Sequence, residues 1–85
     1  MPFSLEDRRV LLAVKGVGPT VIARLEQMGI ESLAHLQRES PADILARGAR
    51  LTGSSCWKNS PQARAAVAGA VEAARLHQRG QHANE

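Results

Sequence analysis

The stretch Val14-Lys15-Gly16-Val17-Gly18-Pro19-Thr20 constrains this chain most, because it admits little but a tight turn between two helices. Gly16 and Gly18 each offer positive φ without a Cβ in the way, and Pro19 has its φ already set for a first helical position, where its missing N–H costs nothing. A helix is therefore expected to start at Pro19. A glycine turn that runs into a helix N-terminus leaves unpaired amides and the positive end of the helix dipole facing outward, and together these make an anion site suited to phosphate.

The flanking segments carry their own helix boundaries. Ser4 and Asp7 have the three-residue spacing of a capping box, which predicts a first helix from Leu5 to about Val14, with Leu5, Val10, Leu11, Leu12 and Val14 as its apolar residues. Val21, Ile22, Leu25 and Met28 form one stripe at helical spacing, which predicts a second helix from Pro19 to Met28. Gly29 supplies its stop, and Ile30 is the apolar residue that often follows one. Ser32 to Leu36 reads as a short capped helical turn that tucks Leu33 and Leu36 against the hairpin, with His35 on the surface.

Ser40-Pro41-Ala42-Asp43 is a helix start with a serine cap, a proline at the first position and an acid at the third. This fourth helix runs to about Leu51 and is ended by Thr52-Gly53, and Ser60-Pro61 opens a fifth that runs to about His77. The inner face of the fifth is small, with Ala63, Val67, Ala70, Val71 and Ala74, and Gly69 beside it lets a neighbouring backbone come close. Residues 1–79 are thus expected to form one all-α domain, a compact bundle of about five short helices, and residues 80–85 a disordered tail. The paired starts at Ser40 and Ser60 hint at a second, degenerate helix-loop-helix whose loop lacks the Gly-x-Gly pattern.

Charge narrows the function classes. Eleven Lys and Arg stand against eight Asp and Glu, and between Ile44 and Arg79 six cations (Arg47, Arg50, Lys58, Arg64, Arg75 and Arg79) face only Glu72. A basic half suits a polyanionic partner, and equally a solvated helix surface. Catalysis is not expected, since no paired carboxylates and no nucleophile with its base stand out, and His35, His77 and His82 lack metal-ligand spacing. Cys56-Trp57-Lys58 is read as a loop plug over the core, and a reactive thiolate beside lysine is the alternative. No cofactor and no metal is expected. One cysteine, no long apolar run and a charged N-terminus suggest a cytoplasmic protein without a membrane partner.

Residues 12–25, Leu12-Ala13-Val14-Lys15-Gly16-Val17-Gly18-Pro19-Thr20-Val21-Ile22-Ala23-Arg24-Leu25, resemble the helix-hairpin-helix motif of DNA-binding proteins. The following Met28 to Leu36 is similar to the connector that trails that motif, so the likeness covers roughly residues 5 to 37. In size, and in a cysteine-containing loop before a final helix, the chain is also similar to small helix-hairpin-helix proteins known only as pathogenicity-locus proteins. The resemblance implies sequence-independent contact with the DNA backbone, duplex or single-stranded, in support of repair, recombination or transcription. Gly16, Val17 and Gly18 would form the turn, with Lys15, Thr20 and Arg24 as flanking contacts. Lys15 stands where many members have proline, Thr20 where lysine is common, and Ile22 where alanine is usual. The alternative is a protein-protein interaction module without nucleic acid, docking a partner or a second copy of itself through the alanine-rich last helix and basic surface.

Overall fold

The computed structural model describes residues 3–53 and 59–83, with side chains at all of these but Thr52 and 79–83. Five helices follow one another: α1 (Leu5–Leu12), α2 (Pro19–Gln27), α3 (Leu33–Leu36), α4 (Pro41–Thr52) and α5 (Pro61–Ala83), and no strand occurs among the described residues. The all-α bundle is the architecture expected from the sequence. The loop carrying Cys56, Trp57 and Lys58 lies outside the described residues.

The local signals act much as their chemistry requires. Ser4 Oγ accepts from the Asp7 amide at 3.2 Å and caps α1. The Asp7 carboxylate does not turn back to close the capping box. It accepts from the Leu33 amide at 3.1 Å and so holds the start of α3, whose own cap is Ser32 Oγ on the His35 amide. At the end of α2, Gly29 adopts φ +84°, its amide donates to the Glu26 carbonyl, and the Ile30 amide donates to the Leu25 carbonyl, which is a Schellman closure with Ile30 buried behind it. Ser60 Oγ caps α5 through the Ala63 amide at 3.3 Å. Ser40 occupies the corresponding place before α4 with extended backbone, but its hydroxyl makes no capping bond.

Helix α5 is the spine. At 1.5 Å per residue its 23 residues span about 35 Å, and α1, α2, α3 and α4 all pack against it. Its buried face comprises Ala63, Ala66, Val67, Ala70, Val71 and Ala74, so the five positions expected to face inward do so, with Ala66 added. These small residues meet the larger Leu11, Ile22, Leu25, Ile30, Leu33, Leu36 and Ile44 of the surrounding elements, and Phe3 closes the core ahead of α1. No polar or charged residue is buried among the described residues.

Two helix boundaries differ from expectation. Helix α1 stops at Leu12, because Val14 donates its amide three residues back to Leu11 and the chain turns early. Of its five apolar residues only Leu11 is fully buried, Val10 and Val14 are partly so, and Leu5 and Leu12 remain 68% and 44% exposed. Helix α5 continues through residues 80–83, where a tail was expected. A single glycine at Gly80 costs about 1 kcal/mol in a helix, and with glutamine, histidine and alanine after it this does not stop the helix.

Candidate nucleic-acid interface

The turn between α1 and α2 is built by hydrogen bonds that separate structural amides from unpartnered ones. Val17 donates to the Val14 carbonyl at 3.0 Å, which closes a four-residue turn with Gly16 at its third position and φ +87°. That conformation asks for glycine. The Val17 side chain reaches the core, so with its amide also committed Val17 anchors the turn and presents nothing to a ligand. Of the two glycines in this turn, only Gly16 uses the positive φ open to either. Gly18 has φ −126° and ψ −174°, extended backbone open to any residue, and a Cβ built there meets nothing within 4 Å.

Beyond Gly18, α2 opens with Pro19 at its first position and its first closing bond is the Ile22 amide to the Gly18 carbonyl. Among the described residues, the amides of Gly16, Gly18, Thr20 and Val21 find no acceptor in the protein. No acid stands in the first turn of α2, whereas α1 carries Glu6 and Asp7 there and α4 carries Asp43. The positive end of the α2 dipole is therefore uncompensated by its own helix.

Of the expected flanking side chains, Lys15 and Thr20 belong to the turn and the first turn of α2, whereas the Arg24 guanidinium points toward Gln27 at the far end of α2. Lys15 and Thr20 are exposed and Arg24, half-buried, lies one helical turn beyond Thr20 on the same outer stripe. The Arg24 guanidinium donates to Gln27 Oε1 at 3.2 Å, an exposed bond that solvent or a phosphate replaces at little cost. Glu26, the nearest acid on α2, accepts from the Phe3 amide at 3.1 Å.

The cations of the basic half divide by role. Arg47 donates to Glu39 Oε1 at 2.8 Å and to the Met28 carbonyl at 3.1 Å, fastening α4 to the end of α2, and Arg75 Nε donates to the Gln37 carbonyl at 3.2 Å. Both hold the bundle together. Arg50 and Arg64 are exposed and unpaired among the described residues, and Lys58 lies outside them. His35 pairs with Glu39 at 3.1 Å on the surface, and no group of three or more His, Cys, Asp or Glu converges as a metal site among the described residues.

A neighbour of the turn was hidden from sequence reasoning. The first turns of α5 run alongside it, with Ala66 Cβ 3.5 Å from where a Cβ on Gly16 would sit. Val14 Cγ1 lies against Gly69 at a distance that leaves no room for a side chain there. Val14, Lys15 and Gly16 on one side and Gln62, Ala65 and Gly69 on the other enclose an open groove of about 700 Å³. The small residues of α5 suggested close approach, but no local pattern says which loop approaches.

The chain matches no protein-family model, no curated protein and no solved structure.

Proposed function

We propose that this protein binds DNA without sequence specificity, through backbone phosphates held at the turn between α1 and α2, as a helix-hairpin-helix would hold them. The observation that carries the reading is Gly18. Beyond its place as the N-cap of α2, which glycine fills better than alanine, neither its backbone angles nor its neighbours ask for glycine, and it stands beside the unpartnered amides of an acid-free helix N-terminus. A bare backbone there leaves room for an oxyanion to reach those amides. Lys15 and Arg24 add positive charge, and Thr20 adds a hydroxyl. Such contacts position a protein on nucleic acid and read no bases. The protein acts by binding rather than catalysis, in the cytoplasm, as an accessory to repair, recombination or transcription.

Fluorescence anisotropy of a labelled random duplex tests this. Binding is expected to weaken steeply between low and moderate salt as counterions are released, and a Lys15→Glu, Arg24→Glu double variant is expected to lose at least about 10-fold in affinity at low salt. Unchanged affinity in the double variant would remove the turn as the DNA surface.

A second reading is favoured by Leu5 and Leu12, which lie seven residues apart on one side of α1 and stay exposed. They suit contact with a protein partner or a second copy of the chain, and two linked weak phosphate sites bind far better than one. Sedimentation at the concentrations where DNA binds decides the second-copy case, since a strict monomer excludes it.

A further inference from the structure

We infer that the groove beside the turn receives the sugar and base of an unpaired nucleotide, so that the protein prefers single-stranded nucleic acid to duplex. The inference rests on the phosphate-binding reading and adds the form of the strand.

The groove and the proposed phosphate site share Lys15 and Gly16. A strand whose phosphate sits on the turn therefore has its next nucleoside at the groove mouth. The groove's volume of about 700 Å³ falls in the range of about 300–1,000 Å³ usual for small-molecule sites. Its walls are apolar along Val14, Gly16, Ala65 and Gly69, and they carry two polar groups, the Lys15 ammonium and the Gln62 amide. No acid lines it, and neither helix N-terminus flanking it, α2 or α5, has an acid in its first turn. The charge around the groove therefore suits a strand whose phosphates run along its mouth while an uncharged nucleoside enters it. A carboxamide is both donor and acceptor, which matches the edge of any base once that edge is free. Gln62 is exposed and has no partner within the protein among the described residues. In a duplex the base edges are paired and the bases stacked inside the helix, away from a protein surface seated on the phosphates. Only an unpaired strand can swing a base into the groove.

The test compares three labelled oligonucleotides of equal length at low and at moderate salt: a mixed-sequence single strand, the same strand with abasic sites, and the duplex. Each is titrated with wild-type protein and with Ala65→Trp, which fills the groove from the exposed side of α5. Wild-type protein is expected to bind the single strand about 5-fold tighter than the duplex, and the abasic strand is expected to lose that advantage. Ala65→Trp is expected to behave toward the single strand as wild-type does toward the duplex, with duplex affinity unchanged. Equal affinity for intact and abasic strands overturns the inference and leaves phosphate binding standing, and this arm does not depend on the variant folding. Salt-insensitive or absent binding to all three overturns both.

Discussion

Gly16 and Gly18 look alike in the sequence and are needed for different reasons. Gly16 sits at φ +87°, where an L-residue is strained by roughly 1–2 kcal/mol, and nothing closer than 3.5 Å opposes the Cβ itself. Gly16→Ala is therefore expected to lower stability by about that amount in urea denaturation, through backbone strain alone. Gly18→Ala is expected to change stability by less than about 1 kcal/mol, because the poorer N-cap and the smaller unfolded-state entropy offset one another. The same measurement checks both, and a loss at Gly18 equal to that at Gly16 would show that the second glycine is also structural. The Gly-Val-Gly pattern discloses a turn to a reader of the sequence. It does not disclose which glycine carries the left-handed backbone, because that follows from the Val17 amide bonding to Val14, a detail of hydrogen-bond register.

The helices were largely legible because each boundary carries a local chemical cause. Ser4, Ser32 and Ser60 cap their helices, Pro19, Pro41 and Pro61 open theirs, and Gly29 and Gly53 close them in left-handed backbone. Periodicity also identified the buried faces of α2 and α5, since each turns one continuous apolar stripe to the core. It failed for α1, where Leu5 and Leu12 look like core residues but stay exposed. The reason is tertiary: α5 and α3 approach α1 on the side of Leu11, Val14 and Asp7, and two apolar residues on another face are not covered. The packing of Val14 on Gly69 makes a prediction with a change of sign. Gly69→Ala gains about 1 kcal/mol of helix propensity, but its Cβ would stand 2.9 Å from Val14 Cγ1, and overpacking of that kind costs about 1–3 kcal/mol. The substitution is expected to destabilise the native chain and to stabilise a Val14→Ala background, as a double-mutant cycle in thermal melts would record. The same sign in both backgrounds would mean that the turn does not rest on α5.

For the whole molecule, α5 makes a rigid spine from small residues, and the elements packed on it hold the turn and its groove in a fixed relation. The basic half visible in the sequence resolves into cations that fasten the bundle, such as Arg47 and Arg75, and cations that remain available, such as Arg50 and Arg64. Composition alone cannot make that division, because it depends on which carbonyls and carboxylates the fold brings within reach. The turn and the helix start after it were legible from glycine, proline and helix polarity, whereas Gln62 and the groove were not, since they come from a helix more than forty residues away in the chain.

The most direct test of the account separates binding from folding at Gly18. Gly18→Ala is placed beside wild-type protein in anisotropy titrations of a random duplex at low salt, with thermal melts of both. A melting temperature within about 5 °C of wild type and an affinity lower by about 10-fold or more are expected, the loss of one or two charge-assisted hydrogen bonds to phosphate. Equal affinity in the two proteins would contradict the claim that the bare backbone of this turn is where phosphate binds.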